Sequence, residues 1–280
     1  PIVTSPKDVK LVIKPDDINQ WVLMVHESKE DLSKKNANVL KYIEWGENVE
    51  TRIKGGTKGG TTVKGYHNLS TVKSRKLWYD LGKREPAPIL RSRRIWERCI
   101  YILNNANAQA NDSFYEIYPR SKDDVVVLAG ILNSSVTAML SELLGRFYGG
   151  GVLELEIYES KELPVLDLRK LSAGDIKKIE QLFLKLCDAQ RKDDKKGEQE
   201  AQRELDNAVF DVLGLTENER KQVYEGLESL RQMRFQRKEV EVLVEAAEKS
   251  LLAKKPERKR KIVEGEPAKR LDIWIREEKS

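Results

Sequence analysis

The chain has 280 residues, of which 39% are hydrophobic and 35% charged, and its formal net charge is +5. This length allows one large domain or two modest ones with a real core. Two cysteines and two histidines argue against a disulfide framework and a structural zinc site, and they favour a reducing compartment. No apolar run approaches the roughly 20 residues that cross a bilayer, and no secretion signal opens the chain, so we expect no membrane partner.

The sequence starts at Pro1, and its first methionine is Met24. Natural chains rarely begin in this way. We therefore expect a piece of a longer protein or a processed chain, with further activities outside these residues.

The first predicted elements are short strands and one helix. Residues 1–30 are expected to form strands and loops, and the apolar run "WVLMVH" (21–26) is predicted to be a buried strand. Apolar side chains from Leu32 to Ile43 then follow the spacing of one helix face, and Gly46 is the predicted end of that helix.

A glycine-rich basic segment follows, "TRIKGGTKGGTTVKGYHNLS" (51–70). It matches neither a Walker phosphate-binding loop nor a dinucleotide-binding GxGxxG turn. Its glycines and lysines are consistent with a mobile loop that approaches phosphates and equally with a simple flexible hairpin.

The strongest physical signal is a basic stretch over residues 51–98. It contains 13 Lys and Arg against 3 Asp and Glu, a net charge of +10. Cations at this density neutralise phosphates and release counterions, which drives binding to nucleic acid; a solvated basic face is the alternative. The aromatic residues Trp78, Tyr79 and Trp96 lie among these cations, where they stack on bases or serve as core anchors.

Residues 99–119, "CIYILNNANAQANDSFYEIYP", place four asparagines between two apolar runs. The β-branched and aromatic runs predict two paired strands joined by a loop of about nine residues. Asparagine pairs with adenine in the major groove, but it also adopts left-handed turns and bonds to its own backbone. Both roles remain open for each asparagine of the loop.

The rest of the chain is predicted to be mostly helical. Two helices broken near Asn133 precede the glycines at 149–151, and a strand carrying Leu153, Leu155 and Ile157 follows. From Ser172 onward the pattern is fully helical. The predicted fold class is α+β, a mixed α/β target-recognition domain followed by a helical C-terminal region.

Two catalytic alternatives have weak support. The isolated cysteines and histidines allow a Cys–His nucleophile pair only by chance proximity. The triplet from Glu159 to Lys161 has the ExK form found in metal-dependent nucleases, but such a site also needs an upstream strand-end aspartate and a bound metal.

Several motifs, in order, carry a family resemblance. The segments "GYHNLSTVKSRKLWYDLGKREPAPIL", "LNNANAQANDSFYEIYP" and "LAGILNSSVTAMLSELLGRFYGGGVLELEIYESKELPV" resemble the C-terminal specificity region of TaqI-like DNA adenine-N6 methyltransferases, including large fused restriction–modification enzymes. "RELDNAVFDVLGLTENERKQVYEGLESLRQMR" is similar to their helical tail, and "ILNSS" with its helix is also like type I specificity subunits. The resemblance covers about residues 30–235.

The resemblance implies a target-recognition function and a catalytic domain elsewhere. Such enzymes bind S-adenosylmethionine and flip an adenine out of duplex DNA, with a catalytic Asn/Asp-Pro-Pro-aromatic tetrapeptide that these residues lack. We therefore expect no catalytic, cofactor-binding or metal-binding residue in this chain, which should not methylate alone. S-adenosylmethionine is implied for the missing catalytic domain.

The resemblance also implies a division of the chain and its partners. Residues 1–30 would link to an upstream domain, 31–168 would recognise DNA, 169–252 would support them, and 253–280 would form a basic tail. The expected partners are double-stranded DNA and the chain's own upstream methyltransferase domain, in the cytoplasm of a prokaryote.

The expected DNA contacts combine phosphate-binding cations, a minority of which read bases, with the asparagine loop. The candidate residues are Lys54, Lys58, Lys64, Arg75, Lys76, Lys83, Arg91, Arg93, Arg94, Asn104, Asn105, Asn107, Asn111 and Arg120, with Arg146 as a secondary candidate. Three alternatives remain: a specificity subunit that docks a separate methyltransferase or nuclease subunit, a free-standing nuclease that uses Glu159 and Lys161, and an RNA-binding protein.

Overall fold

A computed structural model of the chain describes residues 1–6, 9–53 and 61–252. The candidate residues Lys54 and Lys58 and the predicted tail at 253–280 lie outside the described residues. The described part has the predicted α+β fold. The strands are β1 (Ile2–Val3), β2 (Val12–Ile13), β3 (Glu50–Ile53), β4 (Thr61–Lys64), β5 (Ile89–Ser92), β6 (Arg94–Ile95), β7 (Tyr101–Asn104), β8 (Gln109–Ala110), β9 (Phe114–Ile117), β10 (Arg146–Tyr148) and β11 (Val152–Glu154). The helices are α1 (Lys29–Lys35), α2 (Ala37–Asn48), α3 (Val125–Leu132), α4 (Ser135–Leu144), α5 (Ile157–Glu162), α6 (Ala173–Arg191), α7 (Lys195–Leu213) and α8 (Glu217–Leu252).

The central sheet has four strands in the order β2-β7-β5-β9. β2 runs parallel to β7, whereas β5 is antiparallel to both β7 and β9. The prediction that β7 and β9 pair with each other is therefore wrong, because β5 lies between them. The loop between β7 and β9 contains β8, which instead pairs in parallel with β1.

A second sheet has the order β10-β11-β6, all antiparallel. β10 was not predicted: helix α4 ends at Leu144, and the next residues form an edge strand. The strand predicted to reach Ile157 ends at Glu154, and Ile157 begins the short helix α5. β10 is only three residues long, which is too short for the alternation of apolar and polar side chains to reveal a strand.

One hydrophobic core joins the sheets to the helices behind them. Ile89 and Leu103 of the central sheet and Leu153 of the second sheet belong to the same buried cluster as Phe183 on α6 and Leu205 on α7. Residues 1–30 contribute β1 and β2 to the sheets. The division of the chain made from the sequence stays a prediction, but its boundary at 168 crosses this shared core.

The N-terminal helical segment contains two helices rather than one. Asn36 separates α1 from α2, and its side-chain oxygen accepts a hydrogen bond from Val39 N at 3.4 Å, which caps α2. Gly46 does not end the helix. It lies inside α2, where a Cβ atom would stand 2.8 Å from the Trp78 ring, so packing explains this glycine. Residues 21–26 form no strand.

The predicted helix break near Asn133 is confirmed, and the structure gives its cause. Asn133 is buried, and its side chain accepts from Tyr101 N at 3.1 Å and donates to Tyr101 O at 2.7 Å. The corner between α3 and α4 is thereby fixed to β7. Ser134 then caps α4 through Thr137 N.

The caps of the C-terminal helices follow the sequence pattern. The Ser172 hydroxyl accepts from Asp175 N at 3.1 Å and starts α6. Gly214 ends α7 in the left-handed region at φ 67°. Thr216 and Glu219 form a reciprocal capping box at the start of α8, with distances of 2.8 and 3.4 Å.

A buried arginine on α8 ties this helical region to the second sheet. Arg234 is 0% exposed and binds both carboxylate oxygens of Glu142 on α4, at 2.9 and 2.8 Å. Its other terminal nitrogen donates to the carbonyl oxygens of Trp96 and Gly151, the latter at 2.7 Å. The Arg234 guanidinium therefore links α8 to the segment after β6 and to the segment between β10 and β11.

Within the described residues, no single helix is long and apolar enough to cross a membrane. Only α3 and α4 taken together reach that length and composition, and they are bent by 64°.

We expect Arg234→Met to lower the free energy of unfolding by about 3–5 kcal/mol, because Glu142 stays buried without its partner. Adding Glu142→Leu to that variant should recover much of the loss, since no uncompensated charge remains. Urea denaturation followed by circular dichroism measures both. Equal stability of the single and double variants would contradict the assigned role of this ion pair.

Burial raises the pKa of the Cys187 thiol from 9.0 to about 12. Between these values the unfolded chain loses the thiol proton while the folded chain keeps it, so stability should fall as pH rises above about 9. Urea denaturation at pH 8, 9 and 10 should show this fall, with a shallower slope in Cys187→Ala. Parallel slopes in the two proteins would be the opposing result.

Candidate nucleic-acid interface

The second sheet forms one wall of an open groove of about 570 Å³. The segment at 4–6 and the turn before β9 form the other wall. Arg93, Arg94, Trp96 and Tyr148 line it, together with Glu154 and Asp112. We call this cavity the Arg94 groove.

Strand register explains why cations and aromatic rings meet there. Glu154 on β11 lies opposite Arg94 on β6 and opposite Arg146 on β10, and residues in opposite positions share a sheet face. Trp96 and Tyr148, each two residues further along, fall on the same face because side chains alternate along a strand. The alternate residues Ile95 and Leu153 are buried in the core, whereas Phe147 on the edge strand β10 is 41% exposed. The Arg94 face is therefore the solvent-facing side of this sheet.

The arginines and aromatic rings of the groove are exposed although acids hold the arginines. Arg94 donates to Glu154 at 3.0 Å, yet its side chain is 69% exposed. Trp96 and Tyr148 are 53% and 57% exposed. Large aromatic rings left in water beside cations are typical of surfaces that bind nucleic acid, since rings stack on bases while cations hold phosphates.

A second carboxylate orients Arg93 at the edge of the groove. Glu156 accepts two hydrogen bonds from Arg93, at 3.2 and 2.8 Å, and another from the Tyr115 hydroxyl. The hydrogen bonds from Tyr115 and Arg93 lower the pKa of Glu156, so it stays ionised at neutral pH. Arg146 is held in the same way by Glu159 at 2.5 Å, with its guanidinium 4.7 Å from the centre of the Tyr158 ring. These acids fix the arginines but also reduce the net positive charge of the groove.

Five further candidate cations lie exposed outside the groove. None of them forms a salt bridge within the described residues, and only Arg75 makes a hydrogen bond there, to Asp80 O at 3.1 Å. The five are Lys64, Arg75, Lys76, Lys83 and Arg120. Their charges are available to phosphates without the loss of an existing ion pair.

Two candidate residues lie in the interior instead. Arg91 is 1% exposed, donates to Leu155 O and to Ser160 Oγ at 2.9 Å, and lies 4.8 Å from the centre of the Tyr115 ring. Asn104 is 4% exposed and bonds to the backbone of Ala87 and Ala108. Both side chains hold the central sheet and its loop, and their burial leaves neither of them exposed to a DNA ligand.

The asparagine loop is thus mostly structural. Asn111 donates to Thr4 O at 3.0 Å and accepts from Ser113 N at 3.1 Å, which closes a turn before β9. Asn107 adopts a left-handed conformation, with φ 48°, that asparagine tolerates better than most residues. Asn105 is exposed at the tip. Of the four asparagines, Asn105 and Asn107 present their side chains to solvent.

Sequence reasoning missed Tyr148 as a groove residue. The available signal was the segment from Arg146 to Tyr148, which places aromatic rings beside a cation just before three glycines. The segment was interpreted as the end of a helix, so its rings received no functional role.

The catalytic alternatives find little geometric support. Glu159 and Lys161 lie on α5 rather than at a strand end, and Glu159 is occupied by Arg146 and by Glu156 N. Among the described residues no group of three His, Cys, Asp or Glu side chains could hold a metal ion. Both thiols are buried, and burial raises the pKa of each, which disfavours the nucleophilic thiolate.

We expect Asn104→Ala to lower the free energy of unfolding by about 2–4 kcal/mol, because buried backbone groups lose their hydrogen-bond partners. Asn105→Ala, a matched change one position away at an exposed site, should alter it by less than about 0.5 kcal/mol. Thermal and urea unfolding of the two variants checks this pair. Similar losses in both would show that the loop does not depend on Asn104.

Comparison with known proteins gives one family. The family model described as type II methyltransferase M.Eco57I, C-terminal domain, matches residues 11–194, more than half of the chain. The matched span includes the central sheet, the second sheet and the arginines and aromatic rings of the Arg94 groove, whereas the groove wall at residues 4–6 lies outside it. No curated protein and no solved structure gives a significant match.

Proposed function

Because the chain belongs to the family of the type II methyltransferase M.Eco57I C-terminal domain, we propose that it recognises the DNA target of a site-specific adenine-N6 methyltransferase. The parent protein would be part of a restriction–modification system. The observation that supports this most directly is the Arg94 groove, where exposed arginines and exposed aromatic rings share one sheet face. These arginines and rings lie within the matched residues.

The chemistry of the groove suits duplex DNA. Arginine binds phosphate oxygens or the O6 and N7 atoms of guanine with two parallel hydrogen bonds. Arg93 and Arg94 are already oriented by Glu156 and Glu154, so less side-chain entropy is lost when DNA binds. The exposed cations outside the groove, such as Lys76 and Lys83, would add sequence-independent phosphate contacts.

Methyl transfer is assigned to an attached methyltransferase part. S-adenosylmethionine binding generally uses parallel strands joined by helices and a glycine-rich first turn. The parallel pairs of the described residues are only two residues long, so these residues do not fit that cofactor, and we derive no catalytic step from them. We propose that the attached part binds S-adenosylmethionine and that the whole protein acts in a prokaryotic cytoplasm.

A second candidate is a specificity subunit that docks a separate catalytic subunit. A second cavity, of about 500 Å³, favours it, because its rim carries exposed apolar side chains of Tyr118, Ile157 and Val165. Such a patch is suited to contact with another protein or domain. It is equally suited to the methyltransferase part of the same chain, which the family match favours.

We expect the chain to bind random duplex DNA with an affinity that falls steeply as salt rises, because bound phosphates release counterions. Arg94→Glu should weaken binding about tenfold or more and reduce the slope against log salt by about 1 or more. Fluorescence anisotropy over a salt series gives both quantities.

The matched control is Lys221→Glu, the same kind of charge reversal at an exposed α8 cation far along the chain. It should leave the affinity within about twofold, apart from the general effect of net charge. Equal losses in both variants would mean that overall charge, rather than the Arg94 groove, determines binding. No binding at low salt would overturn the proposed function.

A further inference from the structure

A third cavity, distinct from the Arg94 groove and from the cavity at Ile157 and Val165, is walled by aromatic rings. It measures about 320 Å³ and lies between α2 and the segment that follows β4. Tyr42 and Trp45 come from α2, Tyr66 from the turn after β4, and Trp78 and Tyr79 from the loop before β5. The rest of its lining is mainly aliphatic. We call it the Trp78 pocket.

The five rings form a continuous series around the pocket. Tyr42 stacks on Trp45 with ring centres 5.5 Å apart, and Trp45 meets Tyr66 edge to face at 6.0 Å. The series continues from Tyr66 to Trp78 at 6.1 Å and from Trp78 to Tyr79 at 5.8 Å. These spacings are those of favourable aromatic pairs. The pocket wall therefore offers several ring faces and edges to one planar ligand.

Polar contacts behind the rings fix their orientation. Trp78 Nε1 donates to Glu47 at 2.9 Å, and Lys29 binds the same carboxylate at 2.5 Å. The Tyr79 hydroxyl donates to Glu27 O at 2.9 Å. Gly46 lacks the Cβ that would stand 2.8 Å from the Trp78 ring. Because these hydrogen bonds fix the rings before a ligand binds, the pocket is pre-organised, which lowers the entropy lost on binding.

The segment after β4 makes one side of the pocket cationic, whereas Glu47 and Asp80 border its other side and are hydrogen-bonded to Lys29 and His26. Residues 61–79 contain no Asp or Glu, and their cations lie within a few positions of lining residues: Lys64, Lys73, Arg75 and Lys76. All four are exposed. An aromatic-lined pocket next to a segment with exposed cations suits a nucleotide, whose base stacks on rings while its phosphates bind lysine or arginine.

We propose that the Trp78 pocket takes one unstacked base of bound DNA. This inference rests on the proposed function, because DNA is its ligand. It goes further by giving this part of the chain a role in holding distorted DNA. Base stacking on aromatic rings is tolerant of base identity, so the pocket would stabilise an extruded base without selecting it.

The test compares two duplexes that differ in one extrahelical base, 2-aminopurine, whose fluorescence is quenched when it stacks. The full chain should bind the bulged duplex at least about fivefold more tightly than the perfect duplex, the lower end of what stacking one base contributes. Its 2-aminopurine fluorescence should fall on binding. A preference below twofold, or no quenching, overturns the proposal.

Two variants assign the effect to the pocket. Val72→Phe fills it without removing a ring, and Trp78→Leu removes one wall; circular dichroism establishes that each is folded. Both should abolish the preference and leave the affinity for perfect duplex within about twofold. The matched control, Val165→Phe, makes the same change in the other apolar cavity and should keep the preference. A preference that survives Val72→Phe and Trp78→Leu contradicts the pocket assignment.

The outcomes also separate this inference from the proposed function. Salt-dependent binding of perfect duplex without a bulge preference overturns the pocket alone. A bulge preference without binding of perfect duplex supports the pocket and contradicts target recognition on duplex DNA. Absence of binding to either probe overturns both.

Discussion

The buried Arg234–Glu142 pair is the interaction on which the arrangement of the Arg94 groove depends. It is a bidentate contact without solvent access, and the same guanidinium holds the carbonyl oxygens of Trp96 and Gly151. Trp96 directly follows β6, and Gly151 lies between β10 and β11. Helix α8 is therefore bonded to the segments next to the strands that carry Trp96 and Tyr148, and it helps to hold this sheet face in place.

A second buried polar network joins α7 to the start of α4 and to the corner between α3 and α4. Asp206 on α7 accepts from the backbone and hydroxyl of Ser135 at 2.7 Å each, at the start of α4. Gln202 donates to the same carboxylate and to Asn133 O, and Arg98 bonds both Gln202 and Asn133 O. Burial raises the pKa of Asp206, while these donors favour its ionised form. Polar contacts of this kind specify one arrangement of helices and sheet.

Features that depend on residues close in the sequence were predicted correctly, whereas features that depend on contacts between distant parts of the chain were missed. The α+β class, the break at Asn133 and the end of α7 at Gly214 follow from periodicity and capping chemistry. The placement of β5 between β7 and β9 depends on long-range pairing, which local patterns do not encode. Arg91 and Asn104 were chosen as DNA contacts by residue type, but burial depends on the tertiary fold. Tyr148 was missed because its strand is only three residues long.

Contact between the Arg94 groove and target DNA is what the proposed function requires. Photocrosslinking of the chain to duplex DNA containing 5-iododeoxyuridine, followed by peptide mapping, tests it most directly, because this probe reacts with nearby aromatic side chains. The account predicts crosslinks in the segments 93–96 and 146–148, at Trp96 and Tyr148. Crosslinks confined to the helices of residues 173–252, with none in the groove segments, would contradict it.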